Sequence, residues 1–181
     1  MNLNNKFNKD GYIIIENTNL HENNKFNETI FNINRDLKDE LKKPEIKKLS
    51  GYIMGNFGIE QGEHGETLYS QVFTKEFETK LENIIGKQLS NFDIYFGGNL
   101  CLPNKGKQLF HTDGTFNQEM YMVSIATENI TLNNGPTEVC KGTNNKKLKY
   151  WQFFFSKKNI KKLILKKGQI AIRKHNLWHR G

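Results

Sequence analysis

Apolar positions along the chain change their period near its middle. In the first half Phe26, Ile30, Ile33, Leu37 and Leu41 recur every three or four residues, and Phe77, Leu81, Ile84, Ile85 and Leu89 repeat the pattern. That period collects apolar side chains on one side of a helix, so two amphipathic helices are expected, the second ending near Gly86. Ahead of them, "GYIII" at 11–15 follows "KDG" and reads as a strand entered from a turn. The second half instead carries "FDIYFGGNLCL" (92–102), "MYMVSIATENITL" (120–132), "PTEVCKG" (136–142) and "GQIAIRKHNLWHRG" (168–181), rich in Ile, Val, Tyr, Phe and Thr and parted by Gly, Pro or Asn. Such spacing fits an antiparallel sheet, sandwich or small barrel better than parallel βαβ units. The expected fold class is therefore mainly β with flanking helices (α+β), the helices and first strand over about 1–90 buttressing a β core over about 91–181.

Composition narrows this picture. A chain of 181 residues with no internal repeat and no Pro/Ser linker is read as one domain, 1–181. The net charge of +8 comes from 24 lysines and only three arginines, Arg35, Arg173 and Arg180. The lysines occur beside frequent Asn and Ile, the mark of AT-rich coding, and are read as solvated surface, so no nucleic-acid partner is expected. No run approaches the length of a membrane span, so no membrane partner is expected either. The opening residues lack the basic and apolar regions of a signal peptide; a cytoplasmic location follows, with Cys101 and Cys140 as reduced thiols.

Candidate chemistry centres on "LFHTDGTF" (109–116). If residues 109–113 are extended, His111 and Asp113 point to one side and Thr112 to the other. The pair is then either a hydrogen-bonded turn or two of the three ligands of a 2-His-1-carboxylate triad, which leaves iron positions open. A third ligand is needed, and His179 in "NLWHRG" sits where an antiparallel fold can return it to the pair. His175 and His179 are four apart, but "HNLWH" lacks the glutamate of a zinc protease and its run-in is strand-like. His175 is read as a surface or supporting residue, and His21 and His64 as exposed loop histidines.

The order "FNKDGYIIIEN", "FHTDG", "NNGPTEVCKGTN" and "KKGQIAIRKHNLWHRG", covering residues 7–181, resembles the phytanoyl-CoA dioxygenase family of Fe(II)- and 2-oxoglutarate-dependent oxygenases. The resemblance implies a double-stranded β-helix (jelly-roll, cupin-like) core and carries His111, Asp113 and His179 over as iron ligands. It further implies Fe(II) as metal, 2-oxoglutarate and O2 as cosubstrates, and hydroxylation of a small-molecule substrate with release of succinate and CO2. Asp113 argues for hydroxylation over halogenation, because a carboxylate fills the place a halide would need. Asn134-Gly135 is a favoured hairpin turn by its own chemistry, and Asn144 stands where relatives carry a histidine that is not an iron ligand.

In the family an arginine about ten residues beyond the distal histidine pairs with the far carboxylate of 2-oxoglutarate. This sequence ends at Gly181, so it is expected to be a piece lacking the last core strand; neither Arg180 nor Arg173 is assigned that role. Asn99, Gln108 and Thr127 are candidate cosubstrate contacts, and Phe110, Phe116 and Trp178 candidate pocket walls. The stretch 50–66 is expected near the pocket mouth. A second reading is a non-catalytic or differently metallated cupin-like binding protein. Nothing in the sequence speaks to oligomeric state.

Overall fold

The computed structural model describes residues 2–16, 20–49, 56–59, 62–103, 105–114 and 117–181. In chain order the elements are helix α1 (Leu3–Asp10), strand β1 (Tyr12–Ile15), helix α2 (Asn24–Glu40), strand β2 (Asn56–Ile59), helices α3 (Gly62–Val72) and α4 (Lys75–Ile85) and strands β3 (Gly98–Cys101), β4 (Tyr121–Ile125) and β5 (Glu138–Cys140). Helix α5 (Tyr150–Phe155) and strands β6 (Ile160–Lys162), β7 (Ile170–Lys174) and β8 (His179–Arg180) follow. They fall into two compact units, one of Met1–Asn17, Asn83–Gly86 and Leu109–Gly181, the other of Thr18–Glu82 and Lys87–Gln108.

Both helical stripes form as their period requires. In α2, Phe26, Ile30 and Leu37 are buried, and the helix opens where the Asn23 side chain accepts the Phe26 N–H. In α4, Phe77, Leu81, Ile84 and Ile85 are buried; the helix stops at Gly86, whose φ of 76° few other residues adopt, and Leu89 falls in a separate short turn. The strand expected over 92–102 is cut to Gly98–Cys101, which pairs with β2 from Ile59↔Gly98 to Asn56↔Cys101. Residues 93–97 carry no regular structure, and Tyr95 is 88% exposed.

The first unit holds two three-stranded antiparallel sheets, β1-β7-β4 and β6-β5-β8. Strand β1 pairs with β7 from Tyr12↔Arg173 to Ile15↔Ile170, so the first strand of the chain is built into the same sheet as one of the last. Strand β7 is central, which is why Ile170, Ala171, Ile172 and Arg173 are all buried. The single strand expected over 168–181 is in fact two: the chain turns after Lys174, where the Leu177 N–H returns to the Lys174 carbonyl, and β8 enters the other sheet. Ala126, Val139, Leu163, Leu165, Ala171 and Leu177 form one apolar cluster drawn from both sheets, with Tyr12, Ile14 and Ile130 packed against it.

The join between α1 and this cluster depends on Gly11. Its φ is 82°, its N–H caps α1 on the Phe7 carbonyl, and a Cβ placed there would stand 2.5 Å from Asn144 Oδ1 and 2.7 Å from Leu177 Cδ1. Asn144 is buried and donates to the Asn8 carbonyl while its own carbonyl accepts from Asn176, so it ties the turn after β5 to α1 and to the turn before β8. Gly11→Ala is expected to destabilise the protein by about 2 kcal/mol through strain and overlap together, read as a lowered urea midpoint. An unchanged midpoint would show that α1 can shift without cost.

Candidate metal centre

The backbone brings the candidate ligands together before any side chain acts. His111 and His179 are directly opposite one another, each N–H donating to the other's carbonyl at 2.9 Å. Two residues on, the Asp113 N–H donates to the His175 carbonyl at 3.0 Å. Residues 111–113 are thus fastened along β8 and the turn before it, and β8 is itself fixed on β5 through Val139↔His179.

From that frame the side chains converge. His111 Nε2 lies 3.7 Å and His179 Nε2 3.3 Å from Asp113 Oδ1, and one donor atom from each of the three lies within 4.8 Å of the others. His111 Nδ1 is 2.8 Å from the Leu109 carbonyl, and His179 Nδ1 is 2.9 Å from the Leu177 carbonyl. A carbonyl only accepts, so both rings carry their hydrogen on Nδ1, and in the neutral ring the lone pair on Nε2 faces the shared point. Two imidazole nitrogens and one carboxylate oxygen, oriented from behind by backbone carbonyls, are a donor set that fits a divalent first-row metal and leaves coordination positions open.

A fourth charged group completes the site. Arg173, at the end of β7, is buried and sets Nη1 2.7 Å from Asp113 Oδ2, the carboxylate oxygen not shared with the histidines. Burial alone would raise the Asp113 pKa. The neighbouring His179 ring and the Arg173 charge outweigh it and hold this carboxyl well below the usual carboxylate range. Arg173 Nη1 also comes within 3.4 Å of His179 Nδ1, but both are donors, so that approach is no hydrogen bond. Arg180 is occupied elsewhere: its Nε and Nη2 fork onto buried Glu138 at 2.7 and 2.6 Å, and its guanidinium covers the Phe110 ring at 4.2 Å.

The phytanoyl-CoA dioxygenase (PhyH) family model matches residues 7–181. The chain belongs to this family. No curated protein matches the chain by sequence. Among solved structures it is similar to AviO1 from Streptomyces viridochromogenes, with a TM-score of 0.64 and 12% identity over 97% of this chain and 84% of that one. It is similar also to SnoN, a non-heme alpha ketoglutarate dependent epimerase from nogalamycin biosynthesis (TM-score 0.61, 12% identity, 98% and 73% covered). EctD from S. alaskensis, solved with 2-oxoglutarate and 5-hydroxyectoine, gives a TM-score of 0.61 at 13% identity, with 97% and 67% covered. At such identities the likeness shows a shared fold. PhyH proteins are Fe(II)- and 2-oxoglutarate-dependent oxygenases, using O2 as the second cosubstrate, and this member carries a His-Asp-His set able to hold the metal.

The remaining sequence candidates are placed as follows in this PhyH chain. Phe110 and Trp178 precede the two histidines and, by strand alternation, point the other way: Trp178 stacks on Phe153 at 4.0 Å, and Phe110 packs at 5.4 Å from the same ring beside Cys140 and Leu148. Phe116 lies outside the described residues, as does part of 50–66. Thr127 is half-buried just past β4, Asn99 is exposed on β3, and Asn99 and Gln108 both belong to the second unit. His175, read as a surface or supporting residue, is 3% exposed, and its carbonyl anchors Asp113, so it supports the site from the core and not from the surface. His64, read as a loop residue, stands on α3 and lies 3.2 Å from Asp36 on α2. Sequence reasoning missed Arg173; its signal was a guanidinium closing the apolar run "GQIAIR", a position that burial permits only with a counter-charge nearby.

Proposed function

We propose that this chain is a dioxygenase that hydroxylates a small organic molecule, converting substrate, 2-oxoglutarate and O2 into hydroxylated product, succinate and CO2. Its metal would be held by His111, Asp113 and His179. The two antiparallel sheets of the first unit, facing across one apolar cluster, support a jelly-roll core as the scaffold. The observation that carries the reading is the convergence of one donor atom each from His111, Asp113 and His179 to within 4.8 Å of one another, with both Nδ1 atoms lying against backbone carbonyls. Fe(II) bound there supplies the activation of O2 coupled to decarboxylation of the keto acid.

The protein's part is positional. The Leu109 and Leu177 carbonyls keep both rings aimed, and Arg173 engages Asp113 Oδ2, so the carboxylate offers a single oxygen and does not spread over two positions. The test is release of labelled CO2 from 1-labelled 2-oxoglutarate with Fe(II) and ascorbate, beside His111→Ala. Turnover is expected from the native chain, and a loss of at least about 100-fold from the variant. Equal release from both would end the reading. Metal binding without any release would point to the non-catalytic alternative.

A further inference from the structure

Charge is shared unequally along the chain. Glu138 is the last acidic residue: positions 139–181 hold 13 of the 27 basic residues and none of the 19 acidic ones. These 43 positions are therefore net +13, while the preceding 138 are net −5, with 14 bases against 19 acids. Composition suggested lysines scattered over the surface; their distribution is concentrated.

Helix α5 lies within this stretch and faces the wrong way for a core helix. Phe153 is its buried residue, stacked on Trp178. Trp151, Phe154 and Phe155 turn away from that contact and are 60%, 61% and 81% exposed, while the half-exposed Tyr150 keeps its ring 6.0 Å from Trp178. Exposed Ile160 and Ile164 follow, and exposed Lys146, Lys147, Lys149, Lys157, Lys161 and Lys162 bracket the aromatic side in sequence. Three exposed aromatic side chains on one short helix within a basic stretch mark an interaction surface.

We propose that this face docks on an anionic lipid bilayer. Trp and Tyr rings favour the headgroup level, where they bury a ring and keep a polar edge wet, Phe rings beside them enter the acyl boundary, and exposed ammonium groups are drawn to anionic headgroups. The charge here is of the right kind for a diffuse anionic surface. No arginine occurs between 139 and 172, and the two that follow are engaged inside the protein by Asp113 and Glu138. Nucleic acid is matched less well, since it favours the planar fork of arginine, and Ile160 and Ile164 have no ring face to stack on a base. Lys161 and Lys162 on edge strand β6 also discourage edge-to-edge pairing, but that role calls for no exposed aromatic helix. The expectation of no membrane partner rested on the lack of a spanning segment. Among the described residues no helix is long and apolar enough to cross a membrane, and docking on a surface needs none.

The test is co-sedimentation of the full chain with vesicles of phosphatidylcholine alone or containing about 30% phosphatidylglycerol. Partition onto the anionic vesicles is expected to be at least about tenfold the stronger and to be lost in about 0.5 M salt. Phe154→Ser with Phe155→Ser, an exposed pair whose loss should leave the thermal midpoint in place, is expected to abolish binding. Lys146→Glu with Lys147→Glu is expected to remove the preference for anionic lipid. His111→Ala is expected to bind as the native chain does, which separates this surface from the metal centre. Equal partition onto both vesicles, pelleting without vesicles, or native binding by the Phe double variant would each overturn the proposal. So would single-stranded DNA binding that the Phe double variant retains, since that assigns the lysines to nucleic acid.

Discussion

Alanine in place of His179 is expected to cost the metal-free protein at least about 100-fold in affinity for Fe(II) or Mn(II), read from the rise of the thermal midpoint with added metal. The size follows from the donor count. Three protein atoms meet at the site, and the lost one is the most fixed: His179 is 4% exposed, hydrogen-bonded at both backbone groups and at Nδ1, and placed so that Nε2 alone faces Asp113. Among the described residues Arg173 and Arg180 are cations and Trp178 points into the aromatic cluster, so none of these takes its place. Asp113→Ala should match this loss, and His64→Ala, whose ring pairs with Asp36 on a helix of the second unit, should leave the metal response intact. A metal-dependent midpoint unchanged by His179→Ala would remove this triad as the metal's seat.

Arg173→Met carries the second large effect, and it acts in two ways. It removes the partner of Asp113 Oδ2 from a pair whose side chains are 11% and 24% exposed. A fully buried pair so broken costs about 3–5 kcal/mol; water reaching a quarter of Asp113 reduces the expectation to about 2 kcal/mol. The sign with pH is fixed by the direction of the shift. Asp113 is held below the ordinary carboxylate range when folded, so its contribution is present above about pH 4 and lost as pH falls below that. The stability gap between native chain and variant should therefore close on acidification. Metal affinity should fall about 10-fold, because the carboxylate loses the group that leaves it one oxygen to offer. Arg173→Lys, which keeps the charge without the fork, should recover the stability in part and the metal affinity less. A variant that binds metal more tightly than the native chain would show that Arg173 acts chiefly as a repelling charge.

The candidate site was legible in outline from the sequence. His111, Asp113 and His179 are named by residue type, spacing and family order, and the coordinates bring the three together. Arg173 was weighed only as a partner for 2-oxoglutarate; its place on Asp113 depends on the turn at 175–177, which sets Arg173 and His179 in different sheets. His175 was read as a surface or supporting residue, and its burial decides for the supporting one; that burial comes from packing in the turn, which no periodicity reports. Periodicity gave no expectation for "YWQFFF", which forms α5 and leaves Trp151, Phe154 and Phe155 exposed.

What the amino-acid order alone determined is local: the stripes that make α2 and α4 helical, the β-rich runs of the second half, the turn glycines, and the chemical identity of the three donors. Only the tertiary structure decided that β1 pairs with β7, that His111 lies opposite His179, that Arg173 closes on Asp113 and that α5 turns Trp151, Phe154 and Phe155 to solvent. The physical reason is one of range. A periodic pattern records which residues avoid water, while strand pairing and ion pairing depend on which distant segment arrives to complete a hydrogen-bond ladder or a charge.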